Sequence, residues 1–228
     1  PESVEETFFQ RHPLKGMEKG VTPFDVEGET YMALDGELGL HTAAQFGAIE
    51  LHGWMSRMDA IDAPDRMVFD LDPDEGLPFA EVKRAAQDIA KALKGLGLKS
   101  WPLVSGGKGV HVVLPLDGSA EYAETEAFAK GFAQALAAHQ PERFVATMSK
   151  QRRKGRIFVD WLRNKKSSTA ILPWSLRARP GATVAVPLSW AGLEKIDSAA
   201  AFDIRSAAKL KDPWRDFFKT KQALPRGR

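Results

Sequence analysis

The chain has 228 residues and a formal net charge of +2, with 43% hydrophobic and 27% charged residues. This composition excludes wholesale disorder, and no run of about 18 apolar residues is present that could span a membrane. The absence of cysteine excludes disulfides, thiolate zinc sites and a cysteine nucleophile, and it fits a reducing compartment. We expect one domain over residues 1–228, with an N-terminal portion at 1–57 and a core with its C-terminal extension at 58–228.

The N-terminal portion has weaker patterns than the rest of the chain. Residues 29–34 are typical of a strand, residues 37–47 of a helix and residues 48–52 of a second strand. Before them stands the aromatic pair Phe8 and Phe9. The spacing of these rings favours core packing, with stacking on a nucleotide base as the alternative.

Six elements follow between residues 66 and 162. They are a strand at 66–72 closed by Pro73, a helix between Pro78 and Gly97, strands at 99–105 and 110–115, a helix at 120–139 that Ser119 can cap, and a strand at 156–162. This β-α-β-β-α-β order is the ferredoxin-like split unit of an α+β fold, also found in RRM domains. In that topology the first and third strands pair at the centre, the fourth lies beside the first, and both helices cover one face.

The alternation of side chains assigns the two faces of this sheet. Residues at every second position of a strand point the same way, so Met67, Phe69 and Leu71 face the helices. The opposite face is then uncovered and carries side chains from three adjacent strands, namely Asp70, Asp72, His111, Phe158 and Asp160. After the core we expect short strands at 170–172 and 182–187, and a docking helix within 209–228 that carries Trp214, Phe217 and Phe218.

The small net charge hides two blocks of opposite sign. Residues 59–75 hold seven acids and one base, a local net of −6, whereas residues 141–181 hold eleven bases and two acids, a net of +9. Such blocks are often solvated surfaces, but each of these contains a strand with aspartate in it.

Asp70 and Asp72 lie two residues apart in a strand, so their side chains point the same way, about 6–7 Å apart. An Asp-x-Asp pair alone is more often a surface or turn feature, but an apolar strand rarely holds two charges without a partner. Neighbouring carboxylates repel each other unless a cation lies between them, and Mn²⁺ or Mg²⁺ is the usual one. With Asp160 from the next strand, three aspartates could hold two such ions, as in nucleotidyl transfer.

The segment Ser105-Gly106-Gly107-Lys108-Gly109-Val110-His111 joins two predicted strands. It is either a hairpin turn, for which Gly-Gly is favoured, or a phosphate-binding loop whose backbone N–H groups approach an anion. It is not a P-loop, because no helix follows it. In a phosphate-binding loop, Ser105, Lys108 and His111 would add side-chain donors.

A basic run containing Lys150, Arg152, Arg153 and Lys154 precedes the strand of Asp160. Because it lies next to the predicted metal site, it suits a polyanionic substrate. Basic side chains there would bind nucleic-acid phosphates without reading the base sequence.

Five motifs together resemble the polymerase domain of bacterial ATP-dependent DNA ligase D, in the archaeo-eukaryotic primase superfamily. They are Asp70-Leu71-Asp72-Pro73, the Ser105–His111 segment, Phe158-Val159-Asp160-Trp161-Leu162-Arg163-Asn164, Phe8-Phe9-Gln10-Arg11-His12 and Ser175-Leu176-Arg177-Ala178-Arg179-Pro180. The resemblance covers most of the chain. It implies a primase-polymerase core that adds ribo- or deoxyribonucleotides to a primer on a template, in double-strand break repair by non-homologous end joining.

The resemblance also implies roles for single residues and for partners. Catalysis and the binding of two Mn²⁺ or Mg²⁺ ions fall to Asp70, Asp72 and Asp160. The triphosphate of an NTP or dNTP would be bound by Ser105, Lys108, His111 and Arg177. The incoming base would stack on Phe9 or Phe8, and Arg153 would contact the template or primer end. The implied partners are a DNA primer-template or broken DNA ends, ligase and nuclease domains of a longer chain and the Ku end-binding protein, in a bacterial cytoplasm near the nucleoid.

Two features depart from the family pattern. The family's domain extends further towards its N-terminus, where basic residues hold the 5′-phosphate of the downstream strand, so we expect residues 1–57 to be incomplete. No Lys-x-Asp-Gly ligase motif is present, so strand sealing would belong elsewhere. Two other functions stay open, a metal-dependent nuclease and a non-catalytic RRM-like module that binds nucleic acid across its sheet.

Overall fold

The computed structural model describes residues 7–225 and has a mixed α+β architecture. Within that range the strands are β1 (Val21–Val26), β2 (Glu29–Leu34), β3 (His52–Gly53), β4 (Arg66–Pro73), β5 (Trp101–Val104), β6 (Val110–Pro115), β7 (Phe144–Val145), β8 (Ile157–Asp160), β9 (Ala170–Ile171) and β10 (Val186–Pro187). The helices there are α1 (Gly36–Gln45), α2 (Phe79–Gly95), α3 (Tyr122–His139), α4 (Trp190–Glu194) and α5 (Ile204–Ala207). Among these residues, no helix has the length and apolar character needed to cross a membrane.

A six-stranded sheet in the order β10-β5-β6-β4-β8-β7 forms the centre of the fold. β4 pairs antiparallel with β6 on one side and with β8 on the other. This confirms the predicted pairing of the first strand of the unit with the third and the fourth. Two short strands extend the sheet beyond the predicted four, β10 antiparallel to β5 and β7 parallel to β8.

The long helices α2 and α3 pack on one face of this sheet, as the alternation predicted. Met67, Phe69 and Leu71 are fully buried in a core that includes Ile89 of α2. The Phe69 ring lies 4.9 Å from the ring of Phe132 in α3. Each buried side chain of this size contributes about 1.5–3 kcal/mol relative to exposure, so this face anchors β4 in place.

The ends of the two helices differ in how well they were predicted. Gly97 follows α2 with a φ of 81°, a left-handed conformation that glycine adopts without strain. The prediction that Ser119 caps α3 is wrong, because Ser119 donates its N–H to Asp117 instead. Glu121 is the N-cap, and its backbone N–H donates to the Glu124 carboxylate at 2.9 Å.

The opposite face of the sheet is covered over much of its area, so the prediction of an open face is wrong. Val68 and Val113 of the central strands are buried there in one cluster with Ala185, Trp214 and Phe217. The last two rings stack 4.7 Å apart and lie in consecutive turns, not in the predicted docking helix. Trp214 and Phe217 both point to the sheet because they are three residues apart in these turns. Asp70, Asp72 and His111 of the same face line a cleft.

β1 and β2 form an antiparallel hairpin, of which only β2 was predicted. β1 contains Pro23, which pairs with Met32 in a two-stranded sheet, where both strands are edges and proline is tolerated. The turn residues Glu27 and Gly28 have φ values of 55° and 87°, as a two-residue hairpin of the primed type requires. α1 confirms the helix predicted at 37–47.

The strand predicted at residues 48–52 is wrong for most of its length, since only β3 forms, paired with β9. The backbone N–H of Leu51 donates to Ser175 Oγ at 2.7 Å, so it is not available to a strand partner. β9 and β10 confirm the two short strands expected after the core, each at reduced length.

Candidate active site

The three predicted metal ligands lie side by side across the ends of β4 and β8. Asp70 pairs in register with Asp160 on one side and with His111 of β6 on the other. Asp72 is two residues further along β4 and faces the same way. Each of Asp70, Asp72 and Asp160 offers a carboxylate oxygen, and these oxygens all lie within 4.8 Å of one another.

Two nitrogen-bearing side chains, His111 and Arg163, contact this acidic triad. His111 Nε2 lies 3.1 Å from Asp70 Oδ1, and both side chains are buried. Arg163 Nε lies 3.5 Å from Asp70 Oδ2 and 3.3 Å from Asp160 Oδ2. Sequence reasoning included Arg163 in the motif at residues 158–164 but gave it no role. Its position three residues after Asp160, in a 3₁₀ turn at Leu162–Asn164, is the signal that could have identified it.

The pKa values of the triad differ although the three groups are neighbours. Burial works to raise the pKa of Asp70, but the charge and hydrogen bond of His111 and the charge of Arg163 outweigh it, so this pKa lies below its ordinary value. Burial and the charges of Asp70 and Asp160 raise the pKa of Asp72 to about 6. Burial and Asp70 also raise the pKa of Asp160. The three carboxylates outnumber the His111 and Arg163 side chains beside them, so the donor set fits a divalent cation.

Asn164 fastens the turn after β8 to the strand of Asp70. Its Oδ1 accepts from the Val68 N–H at 2.8 Å, and its Nδ2 donates to the Val68 carbonyl at 2.7 Å. The Asn164 side chain is buried, and it contacts β4 beyond the last residue of β8. Asp160 is oriented within the same turn, because its Oδ1 accepts from the Leu162 N–H at 2.9 Å.

The glycine-rich segment is a tight loop between β5 and β6, and most of its backbone N–H groups have partners inside the protein. Gly106 N–H donates to the Ala199 carbonyl at 3.1 Å, and the N–H groups of Gly107 and Gly109 both donate to Ser105 Oγ at 3.3 Å. These three N–H groups are therefore not free for an anion. The backbone part of the phosphate-loop interpretation is wrong here, and the donors left for a ligand are side chains.

Gly109 is required for close packing beside the triad. A Cβ at this position would lie 2.4 Å from the Leu71 carbonyl oxygen, which no side chain can do. The absence of a side chain therefore lets the loop approach β4 between Asp70 and Asp72.

A cleft of about 210 Å³ is lined by two aspartates of the triad, Asp70 and Asp72, and by a set of basic side chains, here called the basic wall. Its lining residues are His52, Asp70, Asp72, Pro73, Ser105, Lys108, Gly109, His111, Arg163, Ala170, Ile171, Arg177 and Arg179. All four predicted triphosphate contacts are among them, and sequence reasoning missed His52 and Arg179. The Nδ1 atom of His111 is buried and has no hydrogen-bond partner among residues 7–225, so it has capacity for a ligand.

The basic side chains of the cleft differ in how firmly they are held. Arg177 is largely buried and donates from Nη1 to the Ser105 carbonyl at 2.7 Å and from Nε to Glu50 at 3.1 Å. Lys108 is exposed and pairs with Glu75 at 3.2 Å, an interaction that solvent weakens. Lys108 can therefore reorient towards a ligand, whereas Arg177 is fixed before one arrives.

Phe8 and Phe9 are 74% and 71% exposed, so the interpretation as core residues is wrong. The Phe9 ring meets the edge of the His52 ring at a centroid distance of 5.5 Å. Since His52 lines the cleft, Phe9 stands at the same opening.

The predicted nucleic-acid-binding run forms a short 3₁₀ turn at Lys150–Arg153 and the residues after it. Lys150, Arg152 and Lys154 are exposed, whereas the Arg153 guanidinium lies 3.8 Å from the centre of the Phe158 ring. Phe158 is thus buried beneath Arg153 and not open to solvent as predicted. The segment is anchored to the end of β4 by Asp74, which accepts from the Gly155 N–H at 2.7 Å and donates its own N–H to the Arg156 carbonyl.

Comparison with known proteins identifies the family of the chain. A family model described as "LigD, primase-polymerase domain" matches residues 1–218. The chain belongs to the LigD primase-polymerase domain family. It is therefore a domain of a polymerase-type nucleotidyltransferase, as the resemblance of its motifs implied.

Individual relatives agree with this membership. The multifunctional non-homologous end joining protein LigD of Pseudomonas aeruginosa is 34% identical over 229 residues, which covers 96% of this chain and 27% of that protein. LigD of Mycobacterium tuberculosis is 38% identical over 173 residues, 72% of this chain and 23% of that protein. The chain thus spans about a quarter of the length of these relatives.

A solved structure confirms the fold. It is described as the polymerase domain from Mycobacterium tuberculosis ligase D in complex with DNA, and it matches with a TM-score of 0.84 at 29% identity. The match covers 99% of this chain and 83% of that one.

Proposed function

We propose that the cleft binds a nucleoside triphosphate and transfers its nucleoside monophosphate to the 3′-hydroxyl of a primer paired with a template. One observation carries this proposal. Two of the three clustered carboxylates, Asp70 and Asp72, line the same cleft as the predicted triphosphate contacts, and the third, Asp160, adjoins them. The buried Nδ1 of His111, which also lines this cleft, has no partner among residues 7–225. A triphosphate with divalent cations has the complementary pattern of charge.

In this proposal Asp70, Asp72 and Asp160 hold two Mn²⁺ or Mg²⁺ ions, which supply charge neutralisation and Lewis-acid chemistry when bound. The primer 3′-oxygen forms a bond to the α-phosphorus, the bond from that phosphorus to the β-phosphate oxygen breaks, and pyrophosphate leaves. The hydroxyl proton passes to solvent water. The protein positions the reacting groups, since phosphoryl transfer depends chiefly on positioning and electrostatics.

The basic wall would hold the triphosphate and fix its register. Arg177 supplies a guanidinium already oriented by two protein partners, and His111 donates or accepts at its free nitrogen. Lys108 leaves its weak pair with Glu75, and Ser105 keeps the loop closed. Phe9, with Phe8 as the neighbouring ring, would stack on the incoming base, and their exposure supports this use.

The exposed bases Lys150, Arg152 and Lys154, with Arg153 beside the triad, would contact the phosphates of the primer and template. The DNA bound in the similar solved structure supports a DNA substrate for this chain. The relatives are named for non-homologous end joining, and we propose the same role here, at broken DNA ends with Ku, ligase and nuclease partners. We further propose that residues 1–228 act as one unit, since Glu50 and His52 of the N-terminal portion contact or line the same cleft as Asp70.

Primer extension with each of NTP and dNTP, with and without Mn²⁺, tests the proposal. We expect incorporation only with the metal, and its loss in Asp72→Ala with the protein still folded. Asp197→Ala, at an exposed aspartate far along the chain from the triad, serves as the control. Absence of incorporation by the folded wild-type protein with Mn²⁺ would overturn the proposal, and shortening of labelled DNA would favour a nuclease. Binding across the sheet, as in RRM modules, is disfavoured because Trp214 and Phe217 cover that face.

A further inference from the structure

Glu50 accepts hydrogen bonds from groups that are far apart in the chain. Its carboxylate lies 2.8 Å from His52 Nε2, 3.1 Å from Arg177 Nε and 2.9 Å from the Ala178 backbone nitrogen. Burial works to raise the pKa of this carboxyl, but the bond from His52, the Ala178 N–H and the charge of Arg177 outweigh it and hold the pKa below its ordinary value. An ionised carboxylate only accepts, so His52 carries its hydrogen on Nε2.

The two side-chain partners of Glu50 both line the cleft, and each contacts a different part of the site. Arg177 continues to the Ser105 carbonyl at 2.7 Å, on the wall with Lys108 and His111. His52 lines the cleft and meets the edge of the Phe9 ring. A single carboxylate therefore contacts both the guanidinium that reaches the Ser105 loop and the imidazole that meets the Phe9 ring.

We propose that Glu50 is a positioning residue for the nucleotide, which orients Arg177 towards the triphosphate and His52 beside the base-stacking Phe9. The inference rests on the proposed function of the cleft and adds a residue that is absent from the cleft lining. Glu50 acts through its partners, so its loss weakens nucleotide binding while the acidic triad stays intact.

The backbone around Glu50 is held without its carboxylate. The Leu51 N–H donates to Ser175 Oγ at 2.7 Å, and the Leu51 carbonyl accepts from the Leu172 N–H at 2.9 Å. Since these bonds secure the segment, the ionised side chain is not needed to keep the chain in place. Its three donors instead fix the two side chains that reach the cleft.

Glu50→Gln is the informative variant, because glutamine keeps the shape and one acceptor oxygen for Ala178 but loses the charge. Its oxygen at the Oε1 position would still accept from Ala178 and Arg177 without the charge, and its amide NH₂ at the Oε2 position would face His52 Nε2. We expect the KM for ATP in Mn²⁺-dependent primer extension to rise about tenfold and kcat to stay within about twofold. Calorimetry with inorganic tripolyphosphate in EDTA should show a similar loss of affinity, which is a readout independent of turnover. Glu27→Gln, which loses a contact with Lys166 away from the cleft, should change neither.

Arg177→Lys tests the same link from the other side, since lysine cannot reach Glu50 and the Ser105 carbonyl in the forked geometry of a guanidinium. If Glu50 acts through Arg177, the double variant will lose little more than the worse single variant. Additive losses, an unchanged KM in folded Glu50→Gln, or an unchanged KM in Arg177→Lys would each overturn the proposal. Loss of cooperative thermal unfolding in Glu50→Gln would show that Glu50 is needed for folding, and it would overturn the proposal as well. A wild-type protein that fails to extend primers counts against the proposed function, whereas an active wild type with a normal variant counts against Glu50 alone.

Discussion

Asp70 and Asp72 face the same cleft from positions two residues apart in β4, yet their carboxyl pKa values shift in opposite directions. The difference comes from their neighbours. Asp70 touches His111 and Arg163, whereas no salt bridge to Asp72 is found within residues 7–225, and the charges of Asp70 and Asp160 act on it. The metal-free site thus has one carboxylate that is compensated and one that is not.

Asp72→Asn should stabilise the metal-free domain at pH 7 while abolishing primer extension. The folded-state pKa of about 6 lies above the ordinary value of 3.8, so the folded state holds the Asp72 proton more tightly than the unfolded state. The free energy of unfolding of the wild type therefore decreases as the pH rises from about 4 to 6 and Asp72 ionises. Asparagine cannot ionise, so Asp72→Asn should raise the free energy of unfolding by about 1–3 kcal/mol at neutral pH. Urea unfolding in EDTA at pH 4 and pH 7 measures the effect.

The gain from Asp72→Asn should be small at pH 4 and full at pH 7, because below pH 4 both states of the wild type are protonated. Asp197→Asn is the matched control at an exposed site. A lower unfolding free energy for Asp72→Asn than for the wild type at pH 7 would contradict the pKa assignment.

Gly109→Ala should destabilise the domain by about 1–3 kcal/mol, as overpacking commonly does, and should abolish most activity. The new Cβ would lie 2.4 Å from the Leu71 carbonyl oxygen, and backbone on both sides leaves no flexible group to move. Gly131→Ala is the control, because a Cβ at Gly131 in α3 meets no atom within 4 Å. That change should stabilise the domain by about 0.5–1 kcal/mol. Equal unfolding free energies for the two variants would show that the close approach is tolerated.

Asp74→Ala should weaken binding of a primer-template more than Asp74→Asn does. Both changes remove the negative charge, but only alanine removes the acceptor that holds the Gly155 N–H at 2.7 Å. Loss of this hydrogen bond frees the basic segment at 150–156. We expect the Kd for DNA to be about three- to tenfold higher for Asp74→Ala than for Asp74→Asn, because one hydrogen bond contributes about 1 kcal/mol. Fluorescence anisotropy with labelled DNA at fixed salt gives the comparison. Identical Kd values for the two variants would remove Asp74 from DNA binding.

Phe9→Leu should raise the KM for nucleotide, whereas Phe8→Leu should have a smaller effect. Leucine keeps apolar area but has no π-face, and stacking of a base on an aromatic ring contributes about 1–3 kcal/mol. Phe9 rather than Phe8 contacts His52 at the cleft. Steady-state extension with a single nucleotide measures both variants, and a larger KM for Phe8→Leu would reverse their proposed roles.

The central topology and the acidic triad could be predicted because each depends on patterns within short stretches of chain. Alternation in β4 placed Asp70 and Asp72 on one face, and the order of helices and strands placed Asp160 beside them. The cover over that face could not be predicted in the same way, since Trp214 returns to Val68 from a distant part of the sequence. Contacts of this kind depend on the folded chain and leave no periodic signal.

The same distinction explains the missed residues of the site. Glu50 was missed because its contact with Arg177 joins residues that are more than a hundred positions apart. The loop of Ser105 shows a second limit, because its glycines fitted both a hairpin turn and a phosphate-binding loop, and only the structure shows that three of their N–H groups donate to Ser105 Oγ and Ala199. The glycine-rich composition indicated that an anion could approach the backbone of this loop. The folded structure shows that the donors left for a ligand are side chains.

The amide of Asn164 has a consequence for the timing of catalysis. By holding both backbone groups of Val68, it ties the turn that orients Asp160 to the strand that carries Asp70. The distance between these two carboxylates is then set when the protein folds and needs no rearrangement when substrates enter. Little of the binding energy of the nucleotide is consumed in assembling the acidic side of the cleft, so more of it remains to align the primer end with the α-phosphate.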